Sequence, residues 1–298
     1  MLNALSFDLE DYMHVTAFAE QVGAADWDNC VSRLEHNTDN LLQILDSNAC
    51  TATFFILGWV AKKFPLVIRR IADAGHEIAC HSMWHRLVYD LSPAEFKSDT
   101  QEAKDILENV TGRTVRGYRA PSFSITKDSW WAFEILKELG FTYDSSIFPV
   151  KHPDYGLPQG SRVPFIVPTS GGPLIEFPLP TLDLSGMRAP FGGGAYLRIL
   201  PYRYTRWAIE YINRKELAPV CVYLHPWELD ADQPRLKAKL TSRLRHYAGL
   251  RGTEAKFRRL LRDFEFGPLS GLVEQWRANS IHKEVAVSEE APQQHPVI

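Results

Sequence analysis

The chain has only four cysteines, no CxxC pair, no internal repeat and no uninterrupted apolar run of the roughly 18 residues a membrane-spanning helix needs. Each absence removes a class of protein. Cys30, Cys50, Cys80 and Cys221 are too scattered for a disulfide framework or a thiolate zinc site, so they read as free thiols. Charge of one sign is also missing: 33 Lys+Arg stand against 36 Asp+Glu, a formal −3, which argues against a dedicated nucleic-acid binder. With 45% hydrophobic and 23% charged residues the chain has a globular rather than a disordered composition. The start, Met1-Leu2-Asn3-Ala4-Leu5-Ser6-Phe7-Asp8, lacks the basic and apolar stretches of a leader, so the expected location is cytoplasmic. Gly192-Gly193-Gly194 has no following Lys-Ser/Thr and is no phosphate cradle; a flexible lid is the expectation there.

What is present is an alternation of short β-rich runs with helical periodicity. Residues 2–9, 51–57, 76–81, 115–118, 141–144 and 219–225 have the apolar density of strands buried on both faces. Between them, Val60, Phe64, Val67, Ile68 and Ile71 mark one helix. Ser92-Pro93-Ala94-Glu95 is a helix start with a first-turn proline and a capping glutamate, and Gly112 is a stop. Such βα units predict an α/β fold with parallel strands, a barrel or a doubly wound sheet. Residues 149–203 break the rhythm and read as an elaborated loop region with short strands near Phe165 and Ile175. Between residues 235 and 262 stand ten Lys/Arg and one acid, Glu254, on expected helices; residues 281–298 read as a disordered tail.

Four predicted strands end in polar residues that a buried strand does not need: Asp8, Glu10 and Asp11 on the first, His81 with His85 on the third, Arg119 on the fourth and His225 on the last. In parallel α/β folds the C-terminal strand ends gather around one site. Two histidines four residues apart, in a segment that turns helically, together with one carboxylate form a catalytic-metal ligand set. Clustered carboxylates also repel one another unless a cation neutralises them. Along an extended strand Asp8 and Glu10 share a face and Asp11 points away, which favours Glu10 as ligand with Asp11 in reserve. Arg119 can pair with Asp8 and hold it ionised as a base. Each feature has a bland alternative: surface histidines, a solvated acidic loop, a surface salt bridge.

Taken in order, Ser6-Phe7-Asp8-Leu9-Glu10-Asp11, Gly75-His76-Glu77-Ile78 leading to His81-Ser82-Met83-Trp84-His85, Arg119-Ala120-Pro121-Ser122-Phe123, Asp144-Ser145-Ser146 and Leu224-His225-Pro226 resemble the polysaccharide deacetylase family, the carbohydrate esterases of the NodB-homology fold. The Asp-x-Glu-Asp-Tyr form at residue 8, the Pro190-Phe191-Gly192-Gly193-Gly194 loop and the C-terminal extension look most like the branch found in exopolysaccharide biosynthesis loci associated with exosortase (PEP-CTERM) systems.

The resemblance implies a distorted (β/α) barrel over residues 1–226 that includes the 149–203 insertion, followed by a helical basic extension over 227–280 and the tail 281–298. It implies one divalent metal, zinc or else cobalt or nickel, and removal of N-acetyl groups from an amino-sugar polysaccharide or a lipid-linked precursor. By position, Asp8 matches the catalytic base, His81 and His85 the metal ligands, His225 the catalytic acid and Arg119 the residue that orients the base. The Ser122 N–H is expected at the oxyanion, and Asp144 is a candidate to orient a catalytic histidine. The family's first motif commonly has adjacent carboxylates; here Leu9 intervenes, leaving the acidic ligand as Glu10 or Asp11. Of the aromatics near these motifs, Trp84, Phe123, Tyr196 and Trp227 are candidate sugar platforms. Two other functions compete: hydrolysis of a cyclic amide or imide on the same fold, and a catalytically inactive carbohydrate-binding module. The basic run suits contact with lipid phosphates or an anionic membrane.

Overall fold

The structure, a computed structural model, describes residues 1–152 and 155–278, so the expected tail at 281–298 lies outside the described residues. Strands β1 (Asn3–Leu9), β2 (Thr53–Ile56), β3 (Glu77–Cys80), β4 (Gly117–Tyr118) and β5 (Tyr143–Asp144) lie side by side and parallel. Beyond them β6 (Phe165–Val167) runs antiparallel to β7 (Leu174–Glu176), which pairs with β5. The strands β8 (Thr181–Leu184) and β9 (Met187–Pro190) form a separate hairpin, and β10 (Cys221–Leu224) returns to the free side of β1. A short β11 (Phe266–Gly267) also pairs with β1. Across the main sheet the order is β10-β1-β2-β3-β4-β5-β7-β6, and no pairing between β6 and β10 is present among the described residues. The sheet therefore curls into a barrel that stays open.

The alternation of side chains explains the two faces of that sheet. Leu5, Phe7, Leu9, Phe54, Ile56, Ile78 and Cys80 point outward into the main core. There they meet α1 (Leu34–Asp46), α2 (Gly58–Lys63), α3 (Pro65–Asp73), α4 (Pro93–Thr111) and α5 (Ala132–Glu138). On the inner face Ala4, Phe55, Ala79, Tyr143 and Cys221 form a second, smaller cluster. Its base is closed by a helix that begins at residue 269, where the Leu269 N–H donates to Thr53 Oγ1 (2.7 Å) and the Ser270 N–H to Glu77 Oε2 (3.0 Å). A carboxylate at a helix N-terminus is favourably placed. Residues 227–278 are thus integral to the barrel core, through β11 and this closing helix.

Local chemistry accounts for the helix boundaries. Ser92 Oγ accepts from the Glu95 N–H (3.3 Å) while Glu95 Oε2 accepts from the Ser92 N–H (2.9 Å), the reciprocal cap expected at the start of α4. Gly112, at φ 66°, ends it. The single helix expected through Val60 and Ile71 is two helices, because Pro65 forces Phe64 out of helical geometry (φ −126°, ψ 54°).

The 149–203 region holds β6 and β7 near Phe165 and Ile175, as anticipated, plus the β8–β9 hairpin and α6 (Gly194–Ile199). The helices α7 (Tyr202–Tyr211), α8 (Leu240–Tyr247) and α9 (Leu250–Asp263) complete the fold.

The glycine run 192–194 is no lid. All three residues are buried, and a Cβ on Gly193 would strike the Tyr223 ring while one on Gly194 would strike the Glu228 carboxylate. The missing side chains let α6 seat against β10, a packing role rather than a hinge.

Gly117 makes a similar close approach: a Cβ there would overlap the Tyr143 ring, which is pinned by its hydroxyl to Glu77 Oε1 at 2.8 Å. Gly117→Ala is expected to lower the unfolding free energy by about 1–3 kcal/mol in urea titrations. An unchanged midpoint would mean that the ring is free to move.

Candidate active site

Five strands deliver their polar C-terminal residues to one mouth. Asp8 lies near the end of β1, His81 follows β3, Arg119 follows β4, Ser145 follows β5 and His225 follows β10. Above them opens a cavity of about 440 Å³ lined by Asp8, Glu10, His81, His85, Ser122 and His225, among others.

Arg119 is wholly buried on the inner face, its guanidinium 4.1 Å from the Phe55 ring centroid. It donates to Asp8 Oδ1 (2.7 Å), Ser6 Oγ (2.9 Å), the Ser145 carbonyl (3.1 Å) and Ser145 Oγ (3.1 Å). This is no surface salt bridge. One carboxylate oxygen of Asp8 is held by Arg119, and the other lies 4.0 Å from His225 Nε2.

Glu10 Oε1 lies 3.0 Å from His81 Nε2 and 3.0 Å from His85 Nε2, and the three donor atoms fall within 4.8 Å of one another. His81 Nδ1 sits 2.7 Å from the Arg119 carbonyl, which can only accept, so Nδ1 carries the proton. In the neutral ring Nε2 then aims a lone pair at a carboxylate, an arrangement that needs a cation or an added proton between them. Spacings near 3 Å also suit donors about 2.0–2.1 Å from one tetrahedral ion. The donor set therefore fits a divalent metal. Burial alone would raise the Glu10 pKa, but His85 and His81 beside it hold the carboxyl well below its usual range.

The segment bearing both histidines does not turn helically as expected. Ser82 (φ 66°) and His85 (φ 53°) adopt left-handed backbone, a strain of order 1–3 kcal/mol each. Surrounding contacts hold it: the Gly58 N–H donates to the Ser82 carbonyl (2.9 Å), the Met83 N–H to buried Asp99 Oδ2 (2.7 Å), and the His85 N–H to Ser82 Oγ (3.1 Å). Ser122 (φ 50°) and Phe123 (φ 55°) are bent the same way on the opposite wall, and Ser122 Oγ lies 2.8 Å from Thr16 Oγ1.

Asp11 is not in the donor cluster. Strand β1 ends at Leu9, and Asp11 turns away to accept from the Tyr12 N–H (2.9 Å), Ser32 Oγ (2.7 Å) and the Arg33 N–H (2.8 Å), so it anchors the approach to α1.

Asp144 orients no histidine: it accepts from the Ser146 N–H (2.9 Å) and Ser146 Oγ (2.7 Å) and lies against Glu176. Burial, and then Asp144 itself, push the Glu176 carboxyl well above the usual carboxylate range.

The partner of His225 is Glu228, whose Oε2 lies 3.2 Å from Nδ1 and accepts the His225 N–H at 3.0 Å. Sequence reasoning passed over it, although His225-Pro226-Trp227-Glu228 has the proline and the third-position glutamate of a capping box. Burial lowers the His225 pKa, yet Glu228, Glu10 and Asp8 carry it up to about 9. Burial raises that of Glu228, but Arg198 and His225 bring it down to about 2.

The aromatic candidates separate. Phe123 lines the cavity with Tyr155 and Tyr223. Trp227 touches the cavity but is only 4% exposed, stacked between His225 (5.1 Å) and His246 (4.2 Å), so it supports the histidine more than it offers an open platform. Trp84 lies outside the cavity lining, stacked on Trp27, and Tyr196 packs behind Tyr155.

Residues 19–143 match the polysaccharide deacetylase family model. The matched segment contributes His81, His85 and Arg119, whereas Asp8, Glu10 and His225 lie outside the match and meet them through the fold. Residues 145–274 match a domain of unknown function, DUF3473. A peptidoglycan deacetylase-like protein of Gibberella zeae is 35% identical over 109 residues, 36% of this chain and 31% of its own length. The chain spans about a third of the length of the curated relatives it matches.

A solved Mycobacterium smegmatis structure described as a polysaccharide deacetylase superposes with a TM-score of 0.62 at 20% identity, covering 93% of this chain and 92% of that one. The Puue allantoinase gives 0.59 at 16% identity, covering 92% and 89%. Both share the fold, a curled open barrel.

Three outcomes test this geometry. His81→Ala and His85→Ala should each lose the divalent metal in elemental analysis, whereas Asp11→Asn should keep it; the reverse pattern would make Asp11 the ligand. Glu228→Gln should move the alkaline limb of the pH–rate profile downward by about one unit, since the carboxylate no longer favours imidazolium. His225, raised in the fold, stabilises below about 6.5, and this is lost as pH rises through 9. Glu228, depressed in the fold, stabilises above about 4.5, and this is lost as pH falls through 2. The Tm advantage of the native chain over Glu228→Gln should thus peak between these limits.

Proposed function

We propose that the protein is a metal-dependent hydrolase that removes N-acetyl groups from an amino-sugar polysaccharide or its biosynthetic precursor, releasing acetate. The observation that carries this reading is the approach of Asp8, held by Arg119, to within 4.0 Å of His225, held by Glu228, in a cavity that Glu10, His81 and His85 also line. An acetamide needs help at both ends, because its carbonyl is a poor electrophile and its amine a poor leaving group. A divalent metal on Glu10, His81 and His85, with zinc the best match to two histidines and a carboxylate, supplies Lewis acidity toward the carbonyl and acidifies a water. Asp8, paired with and aimed by Arg119, takes the water's proton. The Ser122 N–H steadies the developing oxyanion. His225, charged at neutral pH, gives its Nε2 proton to the departing sugar amine. Phe123, Tyr155 and Tyr223 provide ring faces for the sugar.

The Asp-x-Glu-Asp-Tyr form and the 190–194 loop support the exopolysaccharide-locus branch, and with it a lipid-linked oligosaccharide as substrate. All four cysteines are free thiols, which suits the reducing cytoplasm. No helix among the described residues is long and apolar enough to cross a membrane. On α8, Leu240 (68% exposed) and Leu244 (60%) stand beside exposed Lys237, Lys239 and Arg243, a combination suited to the anionic inner face of the cytoplasmic membrane.

Acetate release from N-acetylglucosamine oligomers measures the activity, and Asp8→Asn should lower kcat by about 10²-fold or more while retaining the metal. Loss of metal would make Asp8 a ligand. Faster turnover of a cyclic amide such as a hydantoin would replace the deacetylase reading, and binding of sugar without acetate release would leave a carbohydrate-binding module. Binding to anionic vesicles should fall as salt rises and fall further in Leu240→Asp; indifference to vesicles at low salt overturns the membrane reading alone.

A further inference from the structure

The side chain of Arg198 on α6 is one of the most completely engaged in the molecule, and it lines the same cavity behind Glu228. It is 4% exposed, and its Nε donates to Glu228 Oε1 at 2.8 Å. Its Nη1 donates to the carbonyls of His246 (2.7 Å) and Ala248 (2.8 Å), and its Nη2 to that of Arg245 (3.1 Å). Those carbonyls belong to the last turn of α8 and to the residue that follows it, the groups that a helix C-terminus leaves without intrahelical donors and that carry its negative pole. One planar guanidinium therefore joins the end of α8 to the carboxylate that holds His225. Lysine cannot replace it, since an ammonium is a point donor without the fork that spans two directions. Gly194, four residues earlier, leaves the space that the Glu228 carboxylate fills. Trp227 packs against the same assembly, with the Arg198 guanidinium 5.5 Å from its ring, which is stacked between His225 and His246.

Every member of this chain, Arg198, His225, Glu228 and residues 245–248, falls within the 145–274 segment that matches a domain of unknown function. We propose that this segment braces the proton donor: Arg198 is a positioning residue that ties the end of α8 to Glu228 and so fixes His225 toward the scissile bond. The proposal rests on His225 being the acid of the deacetylation described above.

In that step the C–N bond breaks, its electron pair stays on nitrogen, and nitrogen takes the proton from His225 Nε2. The acyl carbon, already joined to the water oxygen, leaves as acetate, and the imidazole becomes neutral. Glu228 takes no proton. It stays ionised against Arg198 and keeps the Nδ1–H pointed at itself, which directs Nε2 into the cavity. Without Arg198, Glu228 is a buried carboxylate answered only by His225, and the proton of Nδ1 can pass to it.

The test compares two acetyl donors in the metal-loaded enzyme: an N-acetylglucosamine oligomer, whose amine must be protonated to leave, and 4-nitrophenyl acetate, whose phenolate leaves without a proton. Arg198→Lys and Arg198→Met should each lower kcat on the oligomer by about 10²-fold with KM changed less than about threefold, the scale of a lost general acid. The aryl ester should lose less than about threefold. Equal losses on both substrates, or none on the oligomer, overturn the proposal.

A second readout needs no turnover. In metal-free protein labelled with ¹⁵N-histidine, the strongly downfield Nδ1–H resonance of His225 should be present in the native chain. It should vanish in Arg198→Lys and in the isosteric Glu228→Gln, while thermal melts remain cooperative. Its persistence in Arg198→Lys overturns the brace. If the native enzyme releases no acetate from any amide, the deacetylase reading falls, and this resonance alone decides the role of Arg198.

Discussion

A guanidinium with no exposure to water sits on the inner face of the curled sheet, and the arrangement of the barrel's upper half follows from satisfying it. Arg119 needs an anion and several acceptors within reach, because an unpaired charge in such a place costs several kcal/mol. Asp8, Ser6 and Ser145 meet that need from β1 and from the residue after β5. The small chains of Ala4, Ser6 and Ala79 on the inner face leave room for it, and Phe55 supplies a ring for its flat face. The ion pair that makes Asp8 available as a base is thus also a packing element. The same contacts set the orientation of β1 against β4 and β5.

The opposite side of the mouth repeats the logic with other residues. His225 is held by Glu228, and Glu228 by Arg198, so a second buried guanidinium answers a second buried carboxylate. Beside the two assemblies lies the Glu10, His81 and His85 cluster, where the His81 lone pair meets a carboxylate and leaves a demand for positive charge. Left-handed backbone at Ser82, His85, Ser122 and Phe123 marks both walls, and it persists because α2, Asp99 and Thr16 hold the loops on which it occurs.

The strands of the parallel barrel, the capped start of α4 and the polar residues at the strand ends were all legible in the sequence. Each rests on local periodicity or on residue types whose burial needs a partner. Less legible were the choice between Glu10 and Asp11 and the partner of His225. The first turned on where β1 stops: the strand ends at Leu9, so facing arguments that assume an extended chain lose their hold one residue later. The second turned on a contact three residues along a short turn, a distance at which sequence alone does not show whether two side chains meet. Asp144 and Trp84 had the right residue type beside the right motif, but Asp144 faces Glu176 and Trp84 faces Trp27.

By itself the sequence determined the βα rhythm, the helix caps and the identity of the groups able to carry acid, base and metal chemistry, since these depend on residues within a few positions of one another. Only the tertiary structure decided which of those groups meet. Glu10 reaches His81 across 71 positions, and Arg198 reaches the carbonyls of residues 245–248 across as many as 50. Contacts of that separation are set by strand order, sheet curvature and the space left at glycines 193 and 194, and no local pattern encodes them.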